Sequence, residues 1–353
     1  MRPLRPLLLG CPHGESRRPG TRGEPRLPAR APPRPHAPRP RHCRTARVRL
    51  RPGRLRIRLT PYNESVRCAA LALVFLLPAL AQESGRHLIQ RVAGGFRYAD
   101  GIAIEQTGSL LVADPPEDRI LRIEFGRPVA SARKPSGGAA GLAFDSKGRL
   151  VICESQARRV VRIEADGKLT VLADQFEGKP LNGPNDLAIR AGDHLYFTDP
   201  AFGSAQDQRQ LPFHGVFHLS PKGELAVVYR SESRPAGIAL SPDGRALYVA
   251  FADERLVRLF DVARSGAASN PRVLVAKTGS IPLGIRTDRE GNLLIAAGDF
   301  LEIHSPKGVL IEKIRMPERA ANLAVHPSTG EIYVAAKTAL YLVARGAQAE
   351  RQP

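Results

Sequence analysis

Between residues 96 and 345 short apolar runs alternate with polar, glycine-bearing turns, and the pattern comes round six times. Each repeat opens on a strand that follows a small or polar residue: DGIAI (100–104), AGLAF (140–144), NDLAI (185–189), AGIAL (236–240), LGIRT (283–287) and ANLAV (321–325). A turn comes next, QTGS, DSKGR, AGDH, SPDGR, DREGN or PSTGE, each carrying the Gly that tight hairpins use for positive φ. Second strands follow: LLVAD (110–114), LVICE (150–154), LYFTD (195–199), LYVAF (247–251), LLIAA (293–297) and IYVAA (332–336). The repeats start 40, 45, 51, 47 and 38 residues apart. Short Val-, Ile-, Leu- and Tyr-rich strands at that period predict an all-β fold, a six-bladed β-propeller of four-stranded blades beginning near 100, 140, 185, 236, 283 and 321. No blade can bury its own face, so each packs on its neighbours. Six matching units weigh against the competing two-sheet sandwich.

A propeller turns this alignment into a site. First strands line the axis, so residues at their starts form a ring around the channel mouth: Asp100, Ala140, Asn185, Ala236, Leu283 and Ala321. Second strands run back to the same rim, and their last residues are expected to form a second ring: Asp114, Glu154, Asp199, Phe251, Ala297 and Ala336. The offset between the rings is 14 residues in four repeats and 15 in two. Repeats one to three supply the carboxylates and the amide, repeats four to six the apolar groups. A mostly apolar wall with a few convergent polar groups is the usual build of a small-molecule pocket.

Charge changes the picture at the N-terminus only. Residues 1–60 hold 17 Arg, no Lys and two acidic residues, whereas from Gln82 onward 35 Lys and Arg face 31 Asp and Glu. A basic arm can neutralise phosphates, but this one lacks the interleaved aromatics that stack on bases, and nucleic acid is not expected as a partner. Residues 1–65 read as a disordered Arg/Pro-rich segment, or as upstream sequence that is not translated, with Val66 as the initiator. Arg67, the apolar Ala69–Leu77 and Ala79-Leu80-Ala81 then have the order of a secretory leader, residues 66–81, cut after Ala81. The apolar run is about 13 residues, short of the roughly 20 that span a bilayer, so stable membrane insertion is not expected. The expected product is residues 82–353, exported to the periplasm or beyond the cell. It keeps only Cys153, which leaves no intramolecular disulfide and no Cys metal cluster, and Cys153 is expected to be inert in packed strand. The histidines show no ligand spacing such as HExxH, and no G-x-S-x-G elbow, P-loop or dinucleotide fingerprint is present.

LNGPNDLAIRAGDHLYFTDP (181–200) strongly resembles the signature stretch of bacterial gluconolactonases, of the senescence-marker-protein (regucalcin) family. The likeness continues through GLAFDSKGRLVICE (141–154), FHGVFHLSPKGEL (213–225), GIALSPDGRALYVA (237–250) and RMPERAANLAV (315–325), about 250 residues in all. The resemblance implies a six-bladed propeller with one divalent metal, usually calcium, on its axis, and hydrolysis of lactones or related esters and phosphoesters. Of the four ligands it implies, the Asn of PND falls on Asn185, and the Glu that opens blade one falls on Asp100. The Asn of PNG falls on Ala236, and the Asp of PDG, the family's acid–base group, falls on Leu283. The implied cofactor is therefore calcium or another divalent ion held weakly by Asp100 and Asn185, or none.

Two functions follow. One is a lactone or small-ester hydrolase with a rearranged site, its catalytic candidates being Asp100, Glu154 and Asp199 and its substrate contacts Asn185, Glu154, Asp114, Phe251 and Leu283. The other is a propeller that binds a small molecule or a partner without turnover and without the family metal. Each acidic candidate also has a bland role. Asp114 and Asp199 precede prolines and suit turn caps, and Glu154 has Arg158 and Arg159 as neighbours.

Overall fold

The computed structural model describes residues 81–84, 87–202 and 208–345. The Arg/Pro-rich segment and all of the expected leader except Ala81 lie outside these residues. Among the described residues no helix is long and apolar enough to cross a membrane.

The chain folds as an all-β propeller of antiparallel meanders. Sheet one holds Ile102–Ile104, Leu110–Asp114, Arg119–Ile123 and Ala130–Arg133, in that order outward from the axis. Sheet two runs from Ala139–Phe144 through Leu150–Glu154 and Arg159–Ile163 to Leu169–Ala173. Sheet three runs from Leu187–Arg190 through His194–Asp199 and His214–Leu219 to Leu225–Ser231. Sheet four runs from Pro235–Leu240 through Ala246–Phe251 and Leu256–Val262 to Ala268–Val275. Inner strands are packed on both faces and read as unbroken apolar runs, as LLVAD and LVICE do. The outermost strand ASAR in sheet one is exposed along most of its length.

The fifth sheet corrects the expected blade count. It has seven strands, and with the four four-stranded sheets it makes a propeller of five blades, not six. In repeats one to four a loop separates the last strand from the next first strand, as Lys134–Gly138 does between sheets one and two. Between repeats five and six no such loop interrupts the chain: Leu310–Val325 continues from the outer edge of one repeat to the axis of the next. Its first part pairs with Leu293–His304 and its last part with Ile332–Ala336. The Gly298↔Ala320 pair bridges the two repeats. Leu294, Leu301, Ile314, Leu323 and Val334 still pack as one cluster between them.

The same sheet closes the ring. His87–Gly94, near the start of the described chain, pairs with Ala339–Arg345 at its end. Other sheets meet through apolar clusters. Between sheets two and three Phe197 and Phe217 stack with centroids 5.2 Å apart, and Phe176 meets Phe217 edge-on at 5.3 Å. The hairpins use glycine as expected: in SPDGR, Gly244 takes φ +66° and donates its N–H to Ser241 O at 2.8 Å.

Candidate functional site

The first strands bring Asp100, Asn185, Leu283 and Ala321 to one cavity of about 280 Å³ at the mouth of the axis, together with Tyr98 and Phe202. A second cavity of about 580 Å³ shares Tyr98, Asp100, Asn185 and Phe202 and extends the first toward Ala140 and Pro115. Ala236 is fully buried. A larger hollow of about 910 Å³ lies at the other end of the first strands, around the Gln106–Gly108 turn. Its charges already satisfy one another, as in Arg122–Glu105 at 2.7 Å and Arg127–Glu124 at 2.8 Å, so it offers no convergent unpaired group.

One residue further along each first strand stand Gly101, Gly141, Asp186, Gly237, Gly284 and Asn322. Neighbouring first strands approach so closely here that a Cβ on Gly101 would overlap the Ala140 carbonyl oxygen, and one on Gly141 would sit 2.7 Å from the Asp186 Cα. Gly141 N–H donates to Asn185 O at 2.7 Å across the same gap. Two positions on, the residues are Ala103, Ala143, Ala188, Ala239, Arg286 and Ala324. The one long side chain, Arg286, forks onto Asp186 (Nη1–Oδ2 2.8 Å, Nη2–Oδ1 3.1 Å) and also donates from Nη1 to Ile285 O at 2.6 Å. Asp186 further accepts from the N–H groups of Leu187 and Ile238. Asn322 donates from Nδ2 to Asp100 Oδ1 at 3.4 Å, while its Oδ1 accepts from Leu323 N–H.

Asp186, Asn322 and Arg286 were not among the expected site residues. Their signal was present: Asp186 and Asn322 are the two exceptions in a column otherwise Gly, and Arg286 the one exception in a column otherwise Ala.

These surroundings raise the Asp100 carboxyl to about 6. Burial is the main cause, the Asp186 charge adds to it, and the Asn322 hydrogen bond and Arg286 oppose it. Burial, then the Asp100 charge, pushes the Tyr98 phenol up to about 12. At neutral pH the cavity thus presents an ionised carboxylate of raised basicity beside neutral amide and phenol donors. That is a set able to take a proton from water and to hydrogen-bond a carbonyl.

The second ring takes no part in this cavity. Glu154 pairs with Ala139, Phe251 with Pro235 and Ala297 with Pro282, each partner lying one residue before the first-ring position. Directly paired residues share a face and the side-chain period is two, so these side chains leave the sheet on the face opposite the first ring. All four of Asp114, Glu154, Asp199 and Phe251 are fully buried. Asp114 accepts from Arg97 and Tyr98 N–H and from Arg119, which pins the loop leading to Asp100. Glu154 lies between Arg133 and Arg159. Asp199 accepts from Asn182 and Gly183 N–H at 2.8 and 2.7 Å, and burial still pushes its carboxyl up to about 7. Phe251 packs in the core between sheets three and four. Cys153 is fully buried, and burial raises its thiol well above the usual range. Asp114→Ala leaves two N–H groups without an acceptor and Arg119 without its carboxylate, with only the Gly95 carbonyl left to accept from it. It is expected to cost about 3 kcal/mol, the low end for a broken buried pair because Arg119 reaches solvent. Urea unfolding checks this.

The donors do not fit a divalent ion. Calcium takes six to eight oxygens, and Ala236 and Leu283 supply no side-chain oxygen. Asp186 is committed to Arg286, and Asn322 turns a donor toward Asp100. Among the described residues no group of three or more His, Cys, Asp and Glu is placed to hold a metal.

The profile of a protein family described as SMP-30/Gluconolactonase/LRE-like region matches residues 101–338. A gluconolactonase of Zymomonas mobilis is 28% identical over 249 residues, which covers 62% of this chain and 70% of that one. The solved structure of a gluconolactonase from Xanthomonas campestris superposes with a TM-score of 0.70 at 25% identity, covering 77% of this chain and 96% of that one. A calcium-binding regucalcin from Agrobacterium tumefaciens is similar in fold, with a TM-score of 0.62 at 16% identity and coverage of 76% and 96%.

Proposed function

The chain belongs to the SMP-30/gluconolactonase/LRE-like family, and from that footing we propose that it hydrolyses lactones or related small carboxylic esters in the cavity at the mouth of its axis. The observation that carries the reading is Asp100, a carboxyl raised to about 6 that faces a cavity beside Asn185 and Tyr98. Asp100 takes a proton from a water as the water oxygen bonds to the ester carbon. The Asn185 side-chain amide (Nδ2–H) and Tyr98 O–H hydrogen-bond the carbonyl oxygen as it gains charge. The C–O bond to the alkoxide then breaks, the proton passes from Asp100 to the departing oxygen, and a hydroxy acid leaves. Leu283, Phe202 and Ala321 receive the apolar part of the substrate. No step is routed through a metal. Export belongs to the same proposal and rests on the leader-like order of residues 66–81.

The second reading, ligand binding without turnover, is favoured by one observation: Leu283 stands where the family's acid–base Asp is implied. One experiment separates the two. The full chain is expressed in a host with a secretory pathway, the N-terminus of the product is sequenced, and the product is offered a panel of five- and six-membered lactones and aryl esters. Gln82 as first residue and turnover of at least one substrate are expected. A product that still begins at residue 1 would remove the export reading. Binding of a lactone without any ring opening above buffer would leave the second reading in place of the first.

A further inference from the structure

The axis of this propeller carries its own cation. Five of the six residues two positions on from Gly101, Gly141, Asp186, Gly237, Gly284 and Asn322 are alanine, and the sixth is Arg286. Its guanidinium spans to Asp186 with two parallel N–H···O contacts of 2.8 and 3.1 Å. The pair is largely removed from solvent, with side-chain exposures of 18% for Arg286 and 1% for Asp186. Asp186 and Asp100 both line the cavity above it. A divalent ion drawn to those carboxylates would lie against a guanidinium, a group that does not lose its proton in proteins. It could take Asp186 only by stripping Arg286 of its partner inside the protein, which leaves a buried unpaired charge. Asn322 strengthens the case, because the atom it turns to Asp100 is a donor, which suits a carboxylate and repels a cation.

We propose that Arg286, locked on Asp186, is the resident cation of the axis and stands in place of a divalent metal, so that the chain folds and binds its ligand without one. This holds whether or not the cavity turns over an ester, and its test reads metal binding and unfolding rather than activity.

The full chain is stripped with chelator, desalted and titrated with Ca²⁺, Mg²⁺, Mn²⁺ and Zn²⁺ to about 1 mM, an ordinary upper range for weak sites, by calorimetry and thermal unfolding. No saturable binding and no rise in midpoint is expected for the wild type. Arg286→Lys keeps the charge and is expected to behave alike. Arg286→Leu frees Asp186 beside Asp100 and Asn185. It is expected to gain one saturable site and a midpoint rise on the order of 5 °C near saturation. Should Arg286→Leu not fold when stripped, refolding with each ion present becomes the readout, and recovery with any of them supports the assignment. Stoichiometric binding of any of these ions by the wild type overturns it. So does an Arg286→Leu protein that folds but ignores every ion, or one that no ion rescues.

Discussion

Asp100→Asn is expected to lower kcat for the best substrate by about 10²- to 10⁴-fold, the range that a positioned acid–base group contributes. The replacement keeps the size of the side chain and removes its ability to take a proton. Since the wild-type carboxyl titrates near 6, the reactive ionised form is present above that pH and lost below it. Wild-type kcat/KM is expected to fall tenfold per pH unit below about 6, and the residual activity of the variant to show no such limb. Lost activity will not reflect lost folding. A carboxyl raised from 3.8 to about 6 by folding favours the native state below 3.8 and loses that contribution as pH rises through 6. At pH 7 the ionised group therefore opposes folding, and a neutral amide there is expected to leave the midpoint unchanged or higher. A variant that unfolds early, or keeps the wild-type rate and pH limb, would remove Asp100 from the mechanism.

The second large effect is expected at Gly101. Its Cβ-less backbone lets sheets one and two meet at the axis, and a methyl group there overlaps the carbonyl oxygen of Ala140, which is main chain and has no rotamer to yield. Ordinary overpacking costs about 1–3 kcal/mol by moving side chains. Gly101→Ala must move a strand, so about 3 kcal/mol or more is expected, a drop in midpoint of roughly 10 °C for a domain of this size. The same shift opens the mouth between Asp100 and Ala140, so ligand affinity should fall with stability. A variant as stable as the wild type would mean that the first strands are not held at this separation.

The propeller was legible because two periods coincide: side chains alternate along each strand, and the repeat with its glycine turn starts again every 38 to 51 residues. The first ring was legible for the same reason, since equivalent positions in equivalent strands must converge on the axis. Asp100, Asn185 and Leu283 do so at one cavity. The second ring was placed by counting to the end of the second strand. The register puts Glu154 beside Ala139 rather than Ala140, and one residue of slip sends the side chain to the other face. Asp114, Glu154 and Asp199 are thus held inside the structure rather than at the mouth. The number of sheets was not legible because it depends on an interruption that fails to occur: residues 316–319, Pro317 among them, are taken up as a bulge between the Phe300↔Arg315 and Gly298↔Ala320 pairs, and the strand from Leu310 to Val325 continues. Arg286 escaped notice because an Arg in a strand reads as an outward, solvated residue. Only its column, alanine in every other repeat, shows that it points inward.

The pairing of His87–Gly94 with Ala339–Arg345 makes the ring of sheets a bracelet whose clasp is sewn from both ends of the described chain. About 250 residues lie between the two halves of the clasp, and bringing such distant ends together costs roughly 5 kcal/mol of chain entropy by the logarithmic loop law. No sheet along the way can recover that cost, because none of them touches both ends. The strands that present Asp100 and Asn185 keep their spacing only while the circle is fastened. The geometry at the centre of the molecule is therefore held by hydrogen bonds at its circumference, between a strand made early in synthesis and one made at the end of the ring.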